Sequence, residues 1–593
     1  MNIEPKFDLV VHATHEAGVK VGGIGAVLDG LLSARAYIEQ VARTILVGPM
    51  DVGNRIEMAR LAASSIKFEI DYSSWHHIDR LAARLSERLR AIERQYNVHI
   101  LYGARRFGDA RHEVILVDGR QAEPAQVNAY KAQLYERFGI QSHRYEYNAE
   151  YNTYINAAEP AFAALEAIAG ECGARRRIIA HEFMGLPLCY SVMLHAPGAY
   201  GVIFYGHEVA TVRAIIEAHP GHDTMFYNVL SRAQQAGRYL EDVFGDQAFF
   251  FKHGLIRPVA AHCDHILAVG DRVVQEMRFL GPDWAQAEID LVYNGVPNAK
   301  ITLQEKRASK AKLTQYCFNL LGYRPDYVFT HVTRFVPSKG LWRDLRVIEQ
   351  LDELLAARRA RAVLFVLSSV IPIGRPARAI FAMETEYGWP VVHREGTMRV
   401  DGVDAPDLVA HEIPFYRAIE QFNRTARAIQ IVLINQFGWS RDRCGERMPG
   451  NMHFADIRRG TDVEFGQSVY EPFGIAQLEP LSFGALCVVS NVCGCVGFVD
   501  RVSGAQDERA NVIVADYVEA GDLEPGVDAA LAIDRARRDQ IETAQAAAVA
   551  QQIIERLPQD EAAAQKLLQA GYMLSQKMSW QVVARDYLLP GLR

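Results

Sequence analysis

Apolar positions along this chain fall into short unbroken runs separated by longer amphipathic stretches. FDLVVHA (7–13), RTILVGP (43–49), RRIIAHE (176–182), YGVIFYGH (200–207) and DHILAVG (264–270) are apolar through most of their length instead of alternating. That is the signature of parallel strands in a sheet covered on both faces. Helical patterns such as EPAFAALEAIAG (159–170) lie between them, giving the β-α-β rhythm of a doubly wound sheet. The rhythm restarts with YVFTHVTRF (327–335), RAVLFVLSSV (361–370), AIQIVLINQ (428–436) and ALCVVSN (485–491), again with helices between, as in 341–360. The pattern predicts an α/β protein of two Rossmann-like domains, with a boundary near 285. Between 371 and 467 the rhythm loosens, which fits either a subdomain or a lid. AAAVAQQIIERL (546–557) predicts plain helix.

Length agrees with this division, because 593 residues exceed the ~250–300 that one core usually sustains. The formal net charge of −7 argues against a general nucleic-acid binder. MNIEPKFDLVVHATHE predicts a strand and not a signal peptide, and no apolar run approaches the ~18 residues that span a bilayer. Cys493 and Cys495 form a C-x-C pair without a second pair to complete a zinc site. The eight cysteines therefore predict reduced thiols in a cytoplasmic protein, with no metal and no membrane.

Four places bring polar groups to predicted strand ends, where open α/β sheets bind ligands. In HEAGVKVGGIGAVL (15–28), Lys20 precedes Gly22 and Gly23 and a helix follows. Paired glycines let a backbone approach an anion, and they also simply permit tight packing. In THVTRFVPSKGL (330–341), Arg334 and Lys339 suit a diphosphate leaving group, or are two solvated cations. His181 and His207 end strands and precede Glu182 and Glu208; each His is either structural or part of a site. In SVYEPFGIAQLEPLSFG (468–484), Glu471 precedes a predicted helix and Glu479 lies about two turns in. Both suit sugar hydroxyls, and amides from Gly474 onward are free in a first turn; acidic residues near a helix start are also common for the dipole alone.

Together these stretches resemble the retaining nucleotide-sugar glycosyltransferases of the GT-B fold, the glycogen and starch synthase group above all. YEPFGIAQLE is similar to its E-x7-E signature, KVGGI to its K-x-G-G loop, RFVPSKGL to its R-x4-K-G step, and SWQVVARDYL (579–588) to its terminal crossing helix. The resemblance implies two Rossmann-like domains facing across a cleft: an acceptor-side domain (1–285), a nucleotide-sugar domain (286–574) and a returning helix (575–593). It implies that Glu471 holds donor-glucose hydroxyls, with Gly474 at the sugar's far edge and Glu479 on the ribose. Arg334 and Lys339 neutralise the diphosphate, joined by Lys20, Gly22 and Gly23. His207 sits beside the sugar, and Glu182 contributes to substrate binding. No cofactor is implied; the donor is UDP-glucose or ADP-glucose and the acceptor an α-glucan. Stretches such as DIRRGTDVEF and NVCGCVGF are similar to the animal and fungal enzymes, while the Arg334–Lys339 spacing is similar to the bacterial ones. Oligomeric state stays open. The chain departs from the group's pattern at His181–Gly185, which keeps a small-sugar or lipid-linked acceptor open, and at Pro480, which should bend the helix after Glu471. A non-catalytic nucleotide-sugar binder is the remaining alternative. Phe226, Tyr227, Tyr239 and Phe244 either offer rings on which a glucan stacks or form the core side of helices, as helical spacing suggests for at least two of them.

Overall fold

In a computed structural model of the chain, residues 6–63, 68–170, 172–368, 370–371, 374–400, 402–504, 509–521 and 523–593 are described. Residues 1–5 of the expected N-terminal strand region and Ser369 of the run 361–370 lie outside them.

The first series of apolar runs forms a ten-stranded sheet. Its strands are β1 (Leu9–Ala13), β2 (Thr44–Pro49), β3 (Glu69–Ser73), β4 (Ile78–Asp79), β5 (His99–Phe107), β6 (Ala110–Asp118), β7 (Arg176–His181), β8 (Gly201–Gly206), β9 (His265–Ala268) and β10 (Ile289–Leu291). Their order is β10-β9-β8-β7-β1-β2-β6-β5-β3-β4. From β10 through β6 neighbouring strands are parallel, and the remaining pairs are antiparallel. The sequence reading found β1, β2, β7, β8 and β9. It did not anticipate the β5–β6 hairpin, although Gly108-Asp109 between two β-rich runs is a hairpin signal; Gly108 takes the positive φ of +58° that such a turn needs.

The second series forms a six-stranded, all-parallel sheet. It comprises β11 (Tyr327–Thr333), β12 (Ala362–Ser368), β15 (Ile429–Ile434), β16 (Val463–Gly466), β17 (Leu486–Ser490) and β18 (Val512–Ala515), in the order β15-β12-β11-β16-β17-β18. A separate hairpin, β13 (Thr397–Val400) with β14 (Val403–Pro406), lies in the 371–467 segment. That segment also supplies β15 and β16, so much of it is built into the second sheet. There His393 bonds the Asp407 carboxylate at 2.7 Å, and the Asn435 amide donates to the Asp407 carbonyl at 2.9 Å, filling the interior with paired polar groups.

The chain divides into two compact units. Residues up to Val212, Ala233–Gly295 and Trp580–Arg593 form one; Arg213–Arg232 and Val296–Ser579 form the other. The change of unit after Gly295, instead of near 285, follows from β10, which pairs with β9 and extends the first sheet. Within the second unit, helix Leu341–Ala357 carries Arg343, which is fully buried. Its guanidinium donates to both oxygens of Asp223, at 3.0 and 2.6 Å, and through Nε to Glu542 at 2.8 Å. Two carboxylates with no solvent exposure around one buried cation explain why the 213–232 stretch belongs with this unit. Within the first unit, the Trp580 ring fits against Gly30 and Gly295; a Cβ on either would stand about 2.1 and 2.5 Å from the indole.

Candidate active site

In the first unit, β8, β7 and β1 are neighbours and end together, which aligns three histidines. His12 Nδ1 is 2.9 Å from His181 Nε2, and His181 Nδ1 is 2.8 Å from His207 Nε2. The rings stack, with centroids 5.2 and 5.1 Å apart. His12 Nε2 continues to the Tyr37 hydroxyl at 3.0 Å, and that hydroxyl to Thr44 Oγ1 at 3.0 Å. Burial holds His12 and His181 well below the ordinary imidazole range, with neighbouring histidines adding to the effect, and burial lowers His207 to about 3. All three are neutral at pH 7. His12 and Tyr37 were not among the sequence candidates; a histidine inside the apolar run of β1 was the available signal.

Glu182 follows His181 with φ +62°, a left-handed conformation rare outside glycine. This bend turns its buried carboxyl across to the next strand, where one oxygen accepts the backbone N–H groups of His207 and Glu208. The other oxygen, Oε2, is buried without a hydrogen-bond partner. Burial, then the charge of Glu208, raises this carboxyl to about 8.

The β1-to-helix loop is organised by Glu16, which is buried. Its Oε2 accepts the N–H groups of Val21 and Gly22, each at 2.6 Å. A side chain on Gly25 would collide with that carboxylate at 2.4 Å, whereas a Cβ on Gly23 would meet open space. The Gly22 amide is thus engaged internally, and Gly23 is the open backbone of the pair. Lys20 is half-exposed and 3.3 Å from Asp29. Beside this loop a cavity of about 290 Å³ is lined by apolar side chains and by His15, Asp51, Asn54, Glu57, Arg60 and Tyr154.

In the second unit, Arg334 directly follows β11 and is exposed. Lys339 closes the turn Pro337–Lys339, which is tied to the Glu471 stretch because Ser338 O accepts Val469 N–H at 2.8 Å. Lys339 Nζ donates to Glu471 Oε2, and Gln477 Nε2 donates to the same oxygen at 2.9 Å. Burial alone would raise the Glu471 carboxyl; the charge and bond of Lys339, the bond of Gln477 and the charge of Arg334 hold it below the usual range. Gly474, with φ +93°, turns the chain so that Gln477 reaches back; a Cβ there would stand 2.8 Å from Gln477 Oε1 and 3.1 Å from Glu471 Cγ. The Glu471 stretch is also pinned from behind: Gly494 N–H donates to Glu471 O at 3.0 Å and Cys495 N–H to Phe473 O at 2.9 Å.

The expected long helix after Glu471 is one turn, Ile475–Leu478, followed by a 3-10 turn Leu481–Phe483. Pro480 has no N–H to continue the ladder, so the helix ends instead of bending. Glu479 therefore sits just past that turn and not two turns in. Its Oε2 is 2.6 Å from Arg458 Nη2, and Arg458 also faces Glu464 at 3.0 Å. Phe226 and Tyr227 lie buried, edge to face at 5.4 Å, so they present no ring to a glucan; both are core of helix His222–Gln235. Cys493 and Cys495 are buried, all eight cysteines are free thiols, and among the described residues no cluster of three His, Cys, Asp or Glu side chains is set to hold a metal. Among the described residues no helix is long and apolar enough to cross a membrane.

No protein-family model and no curated protein matches this sequence. Solved structures do match. The catalytic domain of starch synthase IV from Arabidopsis thaliana, bound to ADP and acarbose, aligns over 99% of this chain and 100% of its own, with 14% identity and a TM-score of 0.52. The N-terminal domain of trehalose-6-phosphate phosphatase from Candida albicans aligns over 98% and 96%, with 10% identity and a TM-score of 0.50. The chain has the GT-B fold of two Rossmann-like units.

Proposed function

We propose that this protein is a retaining glycosyltransferase that moves glucose from UDP-glucose or ADP-glucose to the 4-hydroxyl at the non-reducing end of an α-1,4-glucan. The observation that carries this reading is the Lys339–Glu471–Gln477 cluster beside Arg334, just beyond the carboxyl end of β11. Two cations at a strand end suit a diphosphate whose charge grows as the C1–O bond breaks. An ionised, anchored carboxylate with Gln477 behind it suits sugar hydroxyls. Glu479, held by Arg458, has an exposed edge fit for ribose hydroxyls. In the first unit, Lys20 and the open Gly23 backbone suit phosphate oxygens, while His207 and Glu182 suit the hydroxyls of the transferred sugar. No side chain is needed as a strong base if the departing phosphate takes the acceptor proton; catalysis is then positioning and electrostatic stabilisation.

The acceptor is the finer part of the proposal. The cavity beside the β1 loop combines apolar walls with carboxylates, Asn54 and Arg60, a lining that suits a hydroxyl-rich ligand. Its size also supports a second reading, a small sugar or sugar phosphate as acceptor. Incubation with either nucleotide sugar and with maltooligosaccharides, glycogen or glucose 6-phosphate separates them. The glucan reading expects chain-lengthened product digestible by an α-1,4-specific amylase. Product formed only on glucose 6-phosphate would replace it with the second reading.

A further inference from the structure

The histidine column ends inside the protein at Thr44, and that end carries information about the other. Tyr37 and Thr44 are buried, and among the described residues Thr44 Oγ1 has one hydrogen-bond partner, the Tyr37 hydroxyl. Two proton arrangements satisfy the His–His contacts. In one, every proton points towards His207: Thr44 donates to Tyr37, Tyr37 to His12 Nε2, His12 Nδ1–H to His181 Nε2, and His181 Nδ1–H to His207 Nε2. His207 then carries its own proton on Nδ1. In the reverse arrangement Tyr37 donates to Thr44, and the Thr44 hydroxyl hydrogen is left buried with no acceptor. An unsatisfied buried donor is expensive enough to select one arrangement over the other.

We propose that His12, backed by Tyr37 and Thr44, is a positioning residue that fixes His207 as the Nδ1–H tautomer, so that His207 meets its ligand as a neutral hydrogen-bond donor and not as a base. His207 is half-buried and its Nδ1 has no partner among the described residues, so this is the nitrogen the column presents. The ionised form is disfavoured for the whole column, since each ring is surrounded by low-dielectric interior and by other imidazoles. Each neutral imidazole has one donor and one acceptor, and His181 spends both within the column; it therefore passes the choice made at Tyr37 on to His207. That the ligand is a sugar hydroxyl or a phosphate oxygen rests on the proposed transferase reading. The tautomer itself does not.

The test is nitrogen NMR of the ring resonances in the full-length protein, with His207 assigned by their loss in His207→Gln. A protonated ring nitrogen and a bare one are well separated in such spectra. Wild type should show His207 protonated on Nδ1 and bare on Nε2 across neutral pH. His12→Met, whose sulfur only accepts, should draw the proton of His181 to Nε2 and reverse the column, leaving His207 protonated on Nε2; His12→Gln, whose amide can accept from Tyr37 and donate to His181, should keep the Nδ1–H form. If His12→Met does not fold, the wild-type tautomer alone still decides between the two arrangements. Turnover of a nucleotide sugar should fall roughly tenfold in the reversed variant with little change in KM, the loss of one hydrogen bond in the transition state. A wild-type His207 protonated on Nε2, or a tautomer unchanged in His12→Met, overturns the proposal. A correct tautomer in a protein that turns over no nucleotide sugar would overturn the transferase reading and leave the column assignment standing.

Discussion

Lys339 and Glu471 are each largely buried and satisfy one another, so removing one partner strands the other's charge. Lys339→Met should destabilise the protein by about 3–5 kcal/mol, and the double variant Lys339→Met/Glu471→Gln by clearly less. Urea unfolding of the two single variants and the double checks this; additive losses would mean that the groups act apart. Glu182 gives a second residue-scale expectation. Burial, then Glu208, raises its carboxyl from about 4.5 to about 8 on folding. Between those values the folded chain holds a proton that the unfolded chain has released. Its contribution is therefore fully present below about pH 4.5 and is lost as pH rises through 8, falling by about 1.4 kcal/mol per pH unit. His12, His181 and His207 act in the opposite sense: their folded values lie below the ordinary one, so their contribution is present above about pH 6.5 and is lost on acidification. Glu182→Gln should remove the decline towards pH 8 and leave the acid limb intact, which chemical denaturation across that range measures.

At the scale of elements, the Glu471 stretch keeps its place because the start of helix Cys495–Val502 lies directly against it. A Cβ on Gly494 would stand 1.8 Å from the Pro472 carbonyl oxygen, a backbone atom that cannot step aside alone. Gly494→Ala should therefore displace Glu471 and reduce nucleotide-sugar turnover on the order of 10²-fold while the fold persists, the usual penalty for a misplaced positioning group; unchanged turnover with intact circular dichroism would show that the contact is slack. The C-x-C stretch drew attention in the sequence as a poor metal site, yet its glycine is what matters. Strands β1, β2, β7, β8, β9, β11, β12, β15 and β17 were legible because buried parallel strands are continuous apolar runs. The β5–β6 hairpin was not, since its charged residues, Arg105 and Arg106 among them, break that pattern. Lys339 and Glu471 stood out from local spacing, and the structure brings them together. His12, Glu16, Gln477 and Arg458 act through partners, some distant along the chain, which no local pattern reveals. The helix before Glu479 is shorter than the pattern predicts because Pro480 stops it instead of bending it.

At the scale of the molecule, the chain enters the second unit twice and ends in the first, and each sheet delivers its chemically equipped residues at the carboxyl ends of its parallel strands. The second unit holds two cations, Arg334 and Lys339, beside an ionised Glu471, and the proposed function assigns them to the diphosphate of a nucleotide sugar. Release of nucleoside diphosphate from UDP-glucose and from ADP-glucose, with glycogen present, tests this most directly when wild type is compared with Lys339→Ala and Arg334→Ala. Wild type should release one of the two nucleotides at a rate well above donor hydrolysis without acceptor. Each variant should lose that rate by about 10²–10³-fold, and the double variant should be little worse than the weaker single one, because both cations face one diphosphate. No release from either donor by folded wild type, or full activity in both variants, would contradict the assignment of this cluster to nucleotide-sugar cleavage.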